Sequence, residues 1–149
     1  MKVAVLGASG RAGSEITKEL ASRGHSVLAI ARKPEAIPAV AGVTAVKGDA
    51  SDAAALADLI RGSDVVVSAL HFDIPAETLL SALKAAGVPR LLVTGGAASL
   101  EVAPGVRLID TPDFPEEWKV FWQFNSERGP DLGSVWLALT HAGHQFTVP

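Results

Sequence analysis

The chain has 149 residues, 48% of them hydrophobic and 19% charged, with a formal net charge of −3. That balance describes a compact chain able to bury a continuous core, too apolar for disorder and without the run of roughly 18 apolar residues that a membrane span needs. Cys is absent, which excludes disulfides, thiolate metal sites and cysteine nucleophiles, and the scattered Lys and Arg form no basic stripe fit for nucleic acid.

In chain order, Met1-Lys2 leads into an apolar run over residues 3–6 that meets a glycine turn, with no leader-like stretch. Residues 11–23 carry Ile16 and Leu20 at helical spacing, and Gly24 is suited to ending that helix. A second strand is expected over 26–31, close enough that the crossover requires parallel pairing. A third strand (43–46), a helix capped by Ser51-Asp52 and running to Arg61, and a fourth strand (64–69) repeat the rhythm. Pro75 fits a first helical turn, Leu79, Leu80 and Leu83 mark a buried stripe, Gly87 stops the helix, and 90–94 makes a fifth strand.

Five strands that read as fully buried, alternating with helices, indicate an α/β Rossmann-type fold: a doubly wound parallel sheet with helices on both faces. Residues 95–115 read as a loop rich in Gly, Pro and Asp, 116–124 as an aromatic stretch and 125–133 as a turn region. Residues 135–140 read as a strand or short helix, and 145–148 as a terminal strand. The chain is expected to be one domain over 1–149, with a nucleotide-binding core in 1–100 and an abbreviated substrate or interface segment in 101–149.

Gly7-Ala8-Ser9-Gly10-Arg11-Ala12-Gly13 stands between the first strand and the first helix. In that context Gly7 permits a tight turn, Gly10 lets a diphosphate approach the backbone, and Gly13 lets the helix pack close to the sheet. Free amides and the helix dipole then face the phosphates. An NAD-specific site usually ends its second strand with an acidic residue; here Arg32-Lys33 follow instead, and with Arg11 they suit a ribose 2′-phosphate, so NADP(H) is favoured over NAD(H). The alternative is that both cations are surface charges. Asp49, after the third strand, either accepts from the adenine amino group or caps a helix.

Ser68, Ala69, Leu70, His71, Thr94 and Gly95 fall at the carboxyl ends of the fourth and fifth strands, where open α/β sheets bind ligands. Thr94 or Ser99 could donate to a carboxamide or acceptor, and His71 could pass a proton near neutrality. For each hydroxyl a local bond to backbone is the simpler role, and for His71 a loop position. His141 and His144 lack a third ligand nearby, so no metal site is expected. Asp110, Asp113, Glu116 and Glu117 read as solvated or capping groups rather than acid-base pairs. Trp118, Phe121, Trp122 and Phe124 read as core or interface rather than as a stacking wall.

With Gly48-Asp49, Val67-Ser68-Ala69-Leu70, Gly95-Gly96-Ala97-Ala98-Ser99-Leu100 and 110–117 added to the glycine turn, the chain resembles the atypical short-chain dehydrogenase/reductases. More narrowly it is similar to their NAD(P)H-binding, NmrA-like and NADH-flavin reductase groups. The resemblance covers residues 1 to about 119, and 145–148 look like the family's last strand. It implies an NAD(P)-binding oxidoreductase of a cytoplasmic kind, acting on a small-molecule acceptor. FMN or FAD would then be a substrate, and a homodimer is the expected assembly.

Many nicotinamide reductases protonate a carbonyl with a phenol, and this chain has no Tyr. Flavins and quinones take their proton from water, so a reductase for them ranks first. A non-catalytic NADP(H) sensor of the NmrA-like type ranks second, and an epimerase with a resident nicotinamide third.

Overall fold

The computed structural model describes residues 1–70, 74–94, 101–114 and 135–137. Its main sheet is built from β1 (Lys2–Leu6), β2 (Ser26–Ala31), β3 (Val43–Lys47), β4 (Val65–Ser68), β5 (Leu91–Thr94) and β8 (Val135–Leu137). The spatial order is β3-β2-β1-β4-β5-β8, with every neighbouring pair parallel. The first five strands thus form the 3-2-1-4-5 arrangement of a Rossmann-like fold.

Among the described residues three helices cross between strands: α1 (Arg11–Ser22), α2 (Ala53–Ile60) and α3 (Ala76–Ala86). Strand side chains alternate between two cores. Val3, Val5, Val65 and Val67 join Val27 and Ala29 on the face covered by Ile16 and Leu20 of α1. Ala4, Leu6, Ile30 and Val66 face the other way, against Leu56 and Ile60 of α2 and Leu79, Ala82 and Leu83 of α3. Burial on both faces is why these strands are uninterrupted apolar runs instead of alternating ones.

Sequence-based expectation and structure part at several points. β3 is not buried: Thr44, Ala45 and Lys47 are exposed and Val43 and Val46 half-buried, because among the described residues it is an edge strand paired with β2 alone. Pro75 is the residue before α3 rather than its first member, and Leu80 is only half-buried, the inward stripe being Leu79, Ala82, Leu83 and Ala86. Residues 101–110 are not all loop. They hold a small antiparallel hairpin, β6 (Glu101–Ala103) with β7 (Val106–Arg107), turned at Pro104-Gly105 with Gly105 at φ +74°, and a 3-10 turn, Leu108–Asp110. Residues 135–137 are strand. The expected aromatic stretch, its following turn and the terminal strand lie outside the described residues.

Helix ends follow from local chemistry. Gly24, at φ +79°, takes the chain out of α1, and Gly87, at φ +70°, ends α3 with its amide donating to the Lys84 carbonyl. At the start of α2 the Asp52 carboxylate accepts from the amides of Ala54 and Ala55, both at 3.0 Å.

Candidate functional site: an open helix start at the carboxyl edge of the sheet

β1 ends at Leu6, and the chain turns sharply at Gly7, which sits at φ +75°. The amides of Gly7 and Ala8 both donate to the Ile30 carbonyl, at 3.0 and 3.2 Å, which ties the turn to the end of β2. On the other side the Ala69 amide donates to the Leu6 carbonyl at 3.0 Å, which ties the turn to the end of β4. A side chain at Gly7 would stand 2.8 Å from the Ala69 carbonyl oxygen, so both the dihedral and the space require glycine. At Gly13 a Cβ would overlap the Gly7 carbonyl, the contact that lets α1 lie against the turn.

Gly10 is the cap position of α1 and brings no side chain to it; no acidic residue stands in the first turn either. The first bond of the helix runs from the Ser14 amide to the Gly10 carbonyl, 2.9 Å, and Gly10's own amide donates to Gly7 at 2.9 Å. The amides of Ser9, Arg11, Ala12 and Gly13 therefore find no acceptor among the described residues. Unpaired donors at the positive end of a helix form a site for an anion. The stretch fits a diphosphate: Gly7, Gly10 and Gly13 bring no side chains to it, and among the described residues no carboxylate accepts from its amides.

The remaining expected residues collect along the same edge of the sheet. Arg32 and Lys33 follow β2 and are exposed, with Lys33 leading into a 3-10 turn, Pro34–Ala36. Asp49 lies beyond β3, held beside β2 by the bond from the Gly48 amide to the Ala31 carbonyl, 3.0 Å. Ser68 is the buried last residue of β4, and Ala69 and Leu70 beyond it are half-buried. Thr94 is the half-buried last residue of β5. His71, Gly95 and Ser99 lie outside the described residues, as do His141 and His144.

Two side chains differ from their simplest expected uses. The Thr94 hydroxyl donates to the Ser68 carbonyl at 3.2 Å, so its proton is committed to backbone and it can act toward a ligand only as an acceptor. Asp49 does not cap α2; Asp52 does. Asp49 Oδ1 instead accepts from the amide of Ser51 at 3.0 Å and from its hydroxyl at 2.8 Å. Those two bonds, the backbone one first, hold the Asp49 carboxyl below the usual carboxylate range against an opposing effect of desolvation, with the charge of Arg32 a lesser help.

Sequence reasoning missed the roles of Ser51 and Gly48. The Asp-Ala-Ser spacing at 49–51 is an Asx-turn signal that was available. A Cβ at Gly48 would come within 2.7 Å of the Ile30 and Leu59 methyls, a packing demand that only the assembled fold reveals. Asp110 forms a two-pronged ion pair with Arg107 at 2.8 and 3.0 Å, which separates it from any acid-base role.

A parallel sheet in this order, with a glycine-rich turn leading into an uncapped helix, defines a dinucleotide-binding protein of the Rossmann class. The chain belongs to the NAD(P)H-binding family, whose pattern it matches over residues 7–120. It is 41% identical over 128 residues to the uncharacterized protein YwnB of Bacillus subtilis (strain 168), covering 79% of this chain and 59% of YwnB. Among solved structures it is similar to a candidate epimerase of Bacteroides thetaiotaomicron, with 33% identity, a TM-score of 0.73, and 82% of this chain and 62% of that one covered. It is also similar to SP1627 of Streptococcus pneumoniae TIGR4, a candidate NADH-flavin reductase, with 31% identity, a TM-score of 0.62, and coverage of 85% and 63%. The chain thus spans about three-fifths of the length of these relatives.

Proposed function

We propose that the protein is an NADPH-dependent reductase that delivers hydride to a flavin- or quinone-like acceptor. The observation that carries this reading is the open start of α1, where Ser9, Arg11, Ala12 and Gly13 present amides without acceptors among the described residues. Those amides hold the diphosphate. Arg32 and Lys33, exposed one strand over where an NAD-specific site carries an acid, take the 2′-phosphate, with Arg11 at the helix start as a third cation.

When bound, the nicotinamide supplies a hydride to an acceptor held against its ring. The chain's own part is to position and to exclude water. The half-buried Ala69 and Leu70 follow β4 toward the nicotinamide, and Thr94 at the end of β5, bonded to the Ser68 carbonyl, offers an acceptor oxygen. A planar acceptor that collects its proton from water fits a chain without tyrosine, and the likeness to SP1627 supports a flavin.

The test is steady-state oxidation of NADPH and of NADH in the presence of FMN, FAD and simple quinones. Turnover with NADPH exceeding that with NADH is expected, and Arg32→Gln is expected to raise the KM for NADPH about tenfold with little effect on NADH. No turnover above background with any acceptor, alongside clear dinucleotide binding, would overturn the reductase reading in favour of a sensor.

A further inference from the structure

Asp49 is a carboxylate one strand over from the expected phosphate cations. In the register of β2 with β3, Ala31 pairs with Lys47, so Arg32 and Asp49 both lie just past the carboxyl ends of adjacent parallel strands. The Gly48–Ala31 backbone bond fixes that adjacency. Ser51 pins one oxygen of Asp49 with two hydrogen bonds; the other accepts none among the described residues. Both Arg32 and Asp49 are exposed, and the Arg32 charge makes a small contribution to holding the Asp49 carboxyl low.

Resting on the NADPH reading above, we infer that Asp49 is a specificity-determining residue: a fixed negative charge beside Arg32 that weakens the hold on a 2′-phosphate and keeps the site open to NADH as well as NADPH. The physical reason is charge balance. A ribose 2′-phosphate approaching Arg32 meets attraction from Arg32 and Lys33 and repulsion from Asp49, whereas a bare 2′-hydroxyl meets no net charge cost. The Ser51 bonds matter because a carboxylate free to swing would turn away from the phosphate; this one is held. Its depressed pKa keeps it ionised throughout the neutral range.

The variant that isolates charge from shape is Asp49→Asn, which retains an oxygen for both Ser51 bonds. Calorimetric titration of the full chain with NADPH and with NADH, at low salt and at about 0.5 M salt, reads the outcome. An exposed charge pair is worth a factor of about two to five. The expected result is NADPH binding tightened by that factor at low salt, NADH unchanged, and the gain shrinking at high salt. Weakening of both dinucleotides alike would overturn the inference and assign Asp49 to the adenine. Weakening of NADPH alone would overturn it too, making Asp49 a support for Arg32. If Arg32→Gln lowers NADPH affinity selectively while Asp49→Asn changes nothing, this inference fails and the phosphate site stands. If Arg32→Gln does not discriminate between the dinucleotides, the NADPH reading fails first.

Discussion

The starts of α1 and α2 both follow an extended cap residue and are finished in opposite ways. At α2 the chain supplies its own anion: the Asp52 carboxylate takes the amides of Ala54 and Ala55. At α1 the equivalent position is Gly10, which supplies nothing, and the turn before it is stripped to glycine wherever a side chain would meet backbone. A protein that needed only a stable first helix would cap it, since a Ser, Thr, Asp or Asn at that position is worth about 1 kcal/mol over alanine. The difference separates a helix start that serves the fold from one reserved for a ligand.

The comparison breaks most severely at Gly13. Gly13→Ala drives a methyl into the Gly7 carbonyl, so about 1–3 kcal/mol of stability and at least tenfold in NADPH affinity should be lost together, measured by urea unfolding and titration. Gly10→Asp sharpens it by making α1 resemble α2. The new carboxylate would occupy the free amides, leaving the unfolding free energy within about 0.5 kcal/mol of the parent's while NADPH binding falls by more than tenfold. Asp52→Ala does the converse, costing about 1 kcal/mol with dinucleotide affinity unchanged. The smallest effect belongs to Thr17, one turn below Gly13 in α1, whose hydroxyl is buried without a partner among the described residues. Thr17→Val should be neutral or stabilising by up to about 1 kcal/mol, again with binding preserved.

What could be read from residues alone was what local sterics and two-sided burial dictate. Gly7 and Gly13 were legible because no other residue satisfies the turn and the close helix approach. The runs in β1, β2 and β4 were legible because strands covered on both faces have no polar phase. β3 was misjudged for the same reason: an apolar run says nothing about which strand stands at the edge, and only the pairing order shows that Val43 and Val46 are half-covered. The β6–β7 hairpin escaped notice because strands of three and two residues are too short to show alternation, leaving only Pro104-Gly105, a turn signal indistinguishable from loop. At the site, the committed proton of Thr94 and the Ser51 clamp on Asp49 depend on which carbonyl and which hydroxyl come within reach, information that the assembled strand ends alone supply.

The most direct test follows the backbone amides of both helix starts by nitrogen-15 NMR during titration with NADPH. Large shifts are expected at Ser9, Arg11, Ala12 and Gly13, with Ala54 and Ala55 unmoved. Shifts of equal size at both helix starts, or none at either, would contradict the assignment of the first as the diphosphate site.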